Sequence, residues 1–223
     1  MKARFTLVCL FLALFSGCAT TNKNPNVKAS NDADFKCKPY YCTAYNTLNY
    51  DFFAKKSNLG KELGLLDYVN TRIGRDCSGL VSVINDKNDN LFFDTKDLVA
   101  HFSSGRKSQA IFDLYKSQEK IFFSSPNPGD LVFFNNTTKR TKGGKQKLIT
   151  HIGVITDVGT NGQIEFLHNI GGKNVISVMN LNNPNTHKIG NKKINAYLIS
   201  RCKTSSCLAS NRFSGFGRVV AQN

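Results

Sequence analysis

The pattern of apolar residues changes at one place in the chain, and this change is the strongest limit on its fold. Before the turn signal Pro126-Asn127-Pro128-Gly129-Asp130, apolar side chains recur at helical intervals. After it, short apolar runs alternate with turns rich in Asn and Gly, which is typical of strands. The sequence predicts helices within residues 43–69, from residue 77 and over 109–120, and strands over 131–134, 148–156, 164–168, 175–179 and 196–201. Helices followed by an antiparallel sheet indicate an α+β domain.

The N-terminal residues predict export. Lys2 and Arg4 precede an apolar run over residues 5–15, which is too short to remain in a bilayer as a spanning helix. The run ends in Ser16-Gly17-Cys18, which is similar to the site where bacterial lipoproteins are cleaved and acylated. We therefore predict a signal peptide over residues 1–17 and a lipid on Cys18 that holds the protein at a membrane. An ordinary signal peptide, cleaved nearby, is the alternative.

The same N-terminal segment predicts a location in the bacterial cell envelope. A lipid on Cys18 would anchor the exported chain there, facing the periplasm. By resemblance to known sorting signals, the absence of Asp after Cys18 favours the outer membrane in a host with two membranes. Residues 18–36 are polar and predict a flexible tether. One catalytic domain, which we expect to be monomeric, then occupies residues 37–223.

The chain is strongly basic, with a formal net charge of +15 at pH 7. In an exported protein the polyanions within reach belong to the wall and to membrane surfaces, so the charge does not indicate a nucleic-acid partner. The basic run over residues 138–147 predicts a solvated hairpin tip, with an electrostatic arm for an anionic surface as the alternative. Its Gly143-Gly144-Lys145 lacks the spacing of a phosphate-binding loop.

Seven cysteines divide into groups with different expected roles. Cys9 leaves with the signal peptide and Cys18 is the lipid acceptor. Two pairs at equal spacing remain, and these are Cys37 with Cys42 and Cys202 with Cys207. They predict either two local disulfides or two bridges joining the two ends of the domain, and a four-thiolate zinc site is a further alternative. In each pairing Cys77 is left over.

Cys77 follows a capping-type residue, Asp76, at the start of a predicted helix. A thiol becomes a good nucleophile as thiolate, and a helix N-terminus or a nearby imidazolium lowers its pKa. We therefore expect a lowered pKa for Cys77. His151 lies inside an otherwise apolar strand, where it is either the base for this thiol or a hydrogen-bonded core histidine.

Four motifs in this order resemble the NlpC family of papain-like cell-wall peptidases. They are Asp76-Cys77-Ser78-Gly79-Leu80-Val81, Pro128-Gly129-Asp130-Leu131-Val132-Phe133-Phe134, His151-Ile152-Gly153-Val154 and Phe166-Leu167-His168. The resemblance implies a papain-like fold, with the nucleophile at a helix N-terminus that packs on the sheet carrying the histidines. It also implies a cysteine peptidase that acts on peptidoglycan stem or cross-link peptides without a cofactor or metal.

The resemblance also assigns roles to single residues. It implies that Cys77 is the nucleophile, that His151 is the base and that His168 orients the base. The turn signal between the two histidines is consistent with neighbouring antiparallel strands that present both rings together, although a partly exposed strand-end residue is the alternative for His168.

The resemblance also implies three substrate-binding residues, which are Asp76, Ser78 and an upstream Tyr. Tyr68 is the candidate for this Tyr, although the Trp-Gly-Gly stretch of the family is missing between Tyr68 and Cys77. An amidase or acyltransferase on the same framework, or a silent wall-binding lipoprotein, are the competing hypotheses.

Overall fold

The computed structural model describes residues 59–220 of the 223-residue chain. Several sequence predictions therefore lie outside the described residues. These are the signal peptide over residues 1–17, the lipid on Cys18, the tether over residues 18–36, the pairing of Cys37 and Cys42, and the N-terminal part of the helical region 43–69.

Residues 59–62 are helical, and four further helices lie wholly within the described residues. They are α1 (Cys77–Lys87), α2 (Thr95–Val99), α3 (Lys107–Ser117) and α4 (Ala209–Arg212), and a 3₁₀ turn spans Leu65–Tyr68. The helix predicted from residue 77 is confirmed, and the helix predicted over 109–120 begins two residues earlier and ends three earlier. No helix between residues 59 and 220 has the length and apolar character needed to cross a membrane.

An antiparallel sheet of six strands follows the first three helices, with the order β1-β8-β2-β3-β4-β5. Its strands are β1 (Ile121–Phe122), β2 (Leu131–Asn135), β3 (Ile149–Val158), β4 (Gln163–Ile170), β5 (Lys173–Asn180) and β8 (Phe213–Gly217). A separate hairpin joins β6 (Lys188–Ile189) to β7 (Lys192–Lys193). The α+β fold class predicted from the sequence is confirmed, and the architecture is papain-like.

The sheet separates two apolar cores. Helices α1 and α3 cover one face, where Leu80, Ile84 and Ile111 pack against Phe133 and Ile152. The other face is covered by the chain after β5, which contributes Leu198 and Ala209. Burial of apolar side chains on both faces stabilises the central strands, and all five residues of β2 are buried. Strand β3 therefore holds its polar residues rigidly between the two layers.

The strand predicted over residues 196–201 is wrong. Tyr197 forms only an isolated bridge with Leu208, and the surrounding residues are irregular. The reason is local: the disulfide between Cys202 and Cys207 brings their Cα atoms to 6.1 Å, so the chain reverses direction soon after Ile199. Its apolar residues are still buried, but as a cover over the second core.

Strand β8 takes the place beside β2, and the sequence analysis did not predict it. Its residues Phe213-Ser214-Gly215-Phe216-Gly217 include two glycines, which weaken a strand pattern. Packing explains Gly217, because a Cβ there would lie 2.6 Å from the ring of Tyr115. The strand uses glycine to let an aromatic ring reach the sheet.

The basic run over residues 138–147 lies between β2 and β3, and most of its side chains are exposed. Hydrogen bonds hold the backbone of this segment in place, because the Asn136 side-chain amide donates to the carbonyls of Gly144 and Gln146. A solvated hairpin tip, as predicted, describes this segment.

The start of α1 is held against the preceding loop by two glycines. Gly74 has a positive φ of 84°, and a Cβ on Gly79 would lie 1.9 Å from the Gly74 carbonyl oxygen. Backbone contact at this distance leaves no room for any side chain on Gly79. The approach of loop and helix therefore fixes where Cys77 begins α1.

We predict that Gly79→Ala destabilises the protein by about 2 kcal/mol or more, because the loop or the first turn of α1 must shift. The matched control is Gly143→Ala, since a Cβ at Gly143 meets nothing within 4 Å. Urea unfolding followed by circular dichroism measures both. Equal stabilities for the two variants would contradict the close approach.

Candidate active site

Cys77 is the first residue of α1, and Asp76 caps that helix. The Asp76 carboxylate accepts hydrogen bonds from the Gly79 amide at 2.7 Å and from the Ser78 hydroxyl at 2.9 Å. Asp76 has an extended backbone, as an N-cap residue does, and its carbonyl accepts from the Leu80 amide. This cap explains why the chain can turn into a helix directly at the thiol.

His151 on β3 and His168 on β4 form a buried pair. His151 Nε2 lies 2.7 Å from His168 Nδ1, and the two rings are nearly perpendicular. His168 is fully buried and its other nitrogen, Nε2, lies 2.8 Å from Ser177 Oγ on β5. The structure thus joins His151, His168 and Ser177 in one hydrogen-bonded chain across three strands.

The contact between the two histidines lies just beyond the point where the regular pairing of β3 with β4 ends. The paired residues of these strands end at Val154 opposite Leu167, short of the two histidines. Gly153 lies next to this end, and a Cβ there would lie 2.9 Å from the Leu167 carbonyl oxygen. Glycine at this position therefore lets β4 approach closely enough for the rings to meet.

Cys77 lies next to the segment of β3 that carries His151, because it shares the groove with Thr150 and is close to the Ile152 amide. The backbone amide of Ile152, the residue after His151, hydrogen-bonds to the Cys77 sulfur and lowers its pKa. The Asp76 carboxylate raises the pKa of both the Cys77 thiol and the His151 imidazole, so it is close to both. The structure therefore brings together three predicted site residues, Asp76, Cys77 and His151. The fourth, His168, contacts the His151 ring.

Burial sets the resting protonation of the thiol and the imidazole. Desolvation raises the pKa of Cys77 to about 11, against the opposing effect of the Ile152 amide. Desolvation lowers the pKa of His151 to about 4, and it lowers the pKa of His168 well below its ordinary value. The sequence predicted a lowered thiol pKa; in the structure the direction is opposite, because burial outweighs the helix N-terminus. At neutral pH the site holds a neutral thiol beside a neutral imidazole.

A groove of about 670 Å³ opens over Cys77. It is lined by Asp76, Cys77, Ser78, Gly79, Phe102, Gly105, Arg106, Lys107, Ser108 and Thr150. Both signs of charge are present, since Asp76 lies at one side and Arg106 and Lys107 come from the start of α3. Such a groove suits an extended ligand that carries both an amine and a carboxylate.

Tyr68 was predicted as a substrate-binding residue, and the structure places it elsewhere. Among the described residues it lines a separate depression with Lys87 and Asn88, beside the last turn of α1. The Lys87 ammonium lies 5.3 Å from the centre of the Tyr68 ring, which is mostly buried. The short loop between Tyr68 and Cys77, without the Trp-Gly-Gly stretch, accounts for this difference.

The remaining cysteines of the described region do not reach the groove. Cys202 and Cys207 form a local disulfide, which is one of the two pairings predicted, so this pair does not supply thiolates to zinc. Cys77 is the free thiol between residues 59 and 220. In that range no three His, Cys, Asp or Glu side chains are arranged to bind a metal.

The sequence analysis missed Ser177 and the cationic side of the groove. Ser177 is a polar residue within the predicted strand 175–179, and a polar residue between apolar neighbours was the only available signal. Arg106 and Lys107 stand just before the predicted start of α3, at residue 109. Because α3 begins at Lys107 and not at residue 109, these two side chains lie at its first turn and line the groove.

One family model matches this chain. It is described as the NlpC/P60 family and covers residues 61–192, more than half of the chain. The match includes Cys77, His151, His168 and Ser177. The curated proteins gave no match, and the solved structures gave none either.

We predict that Asp76→Asn moves the pH profile of Cys77 alkylation to lower pH. The carboxylate raises the pKa of the thiol, so its removal favours the thiolate. Asn caps helices about as well as Asp, so stability should change by less than about 0.5 kcal/mol. Alkylation by iodoacetamide, followed by mass spectrometry over a pH series, measures the profile.

The matched control is Asp94→Asn. Asp94 also caps a helix, α2, through the Lys96 amide, and it is not among the groups that shift the pKa of Cys77. Its profile should equal that of the wild type. An unchanged profile in Asp76→Asn would show that the Asp76 charge does not act on Cys77.

Proposed function

The chain belongs to the NlpC/P60 family, whose members act on the bacterial cell wall, and on that premise we propose that it is a cysteine endopeptidase. Its substrates are peptide bonds in the stem or cross-link peptides of peptidoglycan. The observation that carries this proposal is the hydrogen-bonded pair of His151 and His168 beside a free thiol at a helix N-terminus. Cys77 is the nucleophile, His151 the base and His168 the residue that orients the base.

The reaction begins with proton transfer. The His151 Nε2 atom is engaged by His168, so Nδ1 is the ring nitrogen left to accept the Cys77 proton. The sulfur then attacks the peptide carbonyl, and the imidazolium at His151 gives the proton to the departing amine. An acyl-enzyme on Cys77 remains. Water, deprotonated by His151, attacks the thioester and releases the carboxylate product together with the free thiol.

The raised pKa of Cys77 and the lowered pKa of His151 mean that the thiol and the imidazole are both neutral before the reaction begins. Burial disfavours each charge alone, but proton transfer inside the pair creates two opposite charges side by side. Backbone amides of Ile152 and Ser78 add donors for the thiolate. The nucleophile is therefore formed in the act of attack.

The groove supports a peptide that carries charges of both signs. Stem peptides bear free carboxylates and amines, and the groove offers Arg106 and Lys107 for the first and Asp76 for the second. Asp76 uses one carboxylate oxygen for the cap and keeps the other for a ligand. Ser78 lies at the same edge and completes the set of substrate-binding residues that we assign here.

The protein works at the cell envelope in this proposal. Residues 1–17 act as the signal peptide and Cys18 carries the lipid, on the pattern of Ser16-Gly17-Cys18 after an apolar run. The polar residues that follow give the domain reach from the membrane to the wall, and the basic character of the chain favours contact with anionic surfaces.

We predict that the full chain releases peptide fragments from purified peptidoglycan, and that Cys77→Ala and His151→Ala lower this release at least about 10³-fold. Mass spectrometry of the fragments locates the bond by its new amine and carboxyl ends. The matched control is His187→Ala, because His187 is half-buried, packs on Tyr197 and is bonded to the Asn195 carbonyl. It should keep full activity.

Other outcomes of the digestion identify the competing hypotheses. Cleavage between sugar and peptide would indicate an amidase, and fragments that gain an acyl acceptor would indicate a transferase. Binding to wall without release of fragments would indicate a silent wall-binding lipoprotein. Undiminished release by Cys77→Ala would refute the thiol mechanism.

We predict that the mature protein, expressed in a bacterium, begins with an acylated Cys18. Intact-mass spectrometry of the membrane fraction should show a diacyl or triacyl group on that residue, and Cys18→Ser should lose membrane association. Cys9→Ser is the matched control, since Cys9 is removed with the signal peptide. An unmodified N-terminus at another residue would refute the lipid anchor.

A further inference from the structure

Ser177 is the last member of the hydrogen-bonded chain behind Cys77. It lies on β5, where its direct partner on β4 is Phe166, two residues before His168. Residues at this diagonal share a face of the sheet and reach each other. Ser177 Oγ is thus 2.8 Å from His168 Nε2, while His168 Nδ1 faces His151.

If His151 acts as the base, this role determines which ring nitrogen carries the hydrogen of the neutral imidazole. To accept the thiol proton at Nδ1, the neutral ring must carry its hydrogen on Nε2. That hydrogen points at His168 Nδ1, 2.7 Å away, which must then be the acceptor. The opposite tautomer would place a hydrogen on Nδ1 and leave no lone pair for the thiol proton.

The tautomer of His151 in turn determines the tautomer of His168. If its Nδ1 accepts, the neutral His168 ring carries its hydrogen on Nε2 and donates it to Ser177 Oγ. The pKa of His168 lies well below its ordinary value, so the ring is neutral and holds only one hydrogen. Ser177 Oγ is therefore the acceptor that this tautomer of His168 requires.

We propose that Ser177 is a positioning residue that fixes the tautomers of His168 and, through it, of His151. The inference rests on the proposed function in one respect, the role of His151 as base. Ser177 touches neither substrate nor thiol in this scheme, and it acts through two rings.

Burial makes Ser177 necessary for this task. His168 is fully buried, so water cannot replace the serine as acceptor for Nε2, and an unpaired N–H at that depth is costly. Ser177 itself is only half-buried, so its own hydroxyl hydrogen can reach solvent. The hydroxyl can therefore accept from His168 and still satisfy its donor. When His151 becomes an imidazolium, the same chain of acceptors stabilises the new charge.

The test compares Ser177→Thr with Ser177→Val, which have the same shape and differ in the hydroxyl group. Both residues favour strands, so both variants should fold. We expect Ser177→Thr to keep wild-type rates of Cys77 alkylation and wall digestion at neutral pH, and Ser177→Val to lose about tenfold in each. Equal rates for the two variants would overturn the proposal. Ser177→Ala gives the same comparison if Val is not accommodated.

Nitrogen NMR of the full chain with ¹⁵N-labelled histidine reads the tautomers directly. The wild type should show both His151 and His168 with hydrogen on Nε2, and Ser177→Val should show a mixture. A wild-type His168 with its hydrogen on Nδ1 would overturn the proposal. Because the spectra and the alkylation rates need no substrate, a failure of the wall assay alone would count against the proposed function and leave the role of Ser177 standing.

Discussion

The hydrogen bond between two buried imidazoles, His151 and His168, is the interaction on which the rest of the site depends. Burial removes water as an alternative partner, so each ring nitrogen must find its partner in the protein. That requirement determines how β3, β4 and β5 are arranged around the pair. Gly153 permits the close approach of β4, and Ser177 on β5 supplies the last acceptor. The strands thus hold the orientation of the His151 ring as well as its position.

The thiol side of the site is fixed by a different constraint, backbone contact. The Gly74 carbonyl oxygen approaches Gly79 so closely that no side chain fits at residue 79. Asp76 caps the same turn. The two devices are independent of the imidazole pair, and they come together because α1 packs on β3 through Leu80 and Ile152. A rigid helix start and a rigid strand therefore meet at Cys77 and the Ile152 amide. Neither side of the site requires a flexible loop to hold its reacting atoms.

The sequence predicted the parts of the fold in which local pattern and burial agree. The helix from Cys77, the four strands from β2 to β5 and the α+β class follow from periodicity and turn residues, and the motifs indicated the family. The prediction failed at residues 196–201, where an apolar run is buried without a ladder because the Cys202–Cys207 disulfide reverses the chain. It also missed β8, whose two glycines oppose strand propensity and of which Gly217 makes room for the Tyr115 ring. The first error arises from a covalent bond between residues five apart, and the second from a contact with a ring far away in the sequence.

The electrostatics of the site could not be predicted from the sequence for a related reason. A helix N-terminus and a nearby histidine both suggest a thiolate, and both are visible in the residue order around Cys77 and His151. The depth of burial is not visible there, and it reverses the direction for both groups. Desolvation acts on each charge separately, whereas attraction acts only when both charges exist together. In the proposed mechanism, proton transfer from Cys77 to His151 creates both charges together, and their attraction in the buried site offsets part of the desolvation cost. In the same proposal, a peptide that fills the groove and excludes the remaining water would strengthen that attraction, so substrate binding would be coupled to activation of the nucleophile.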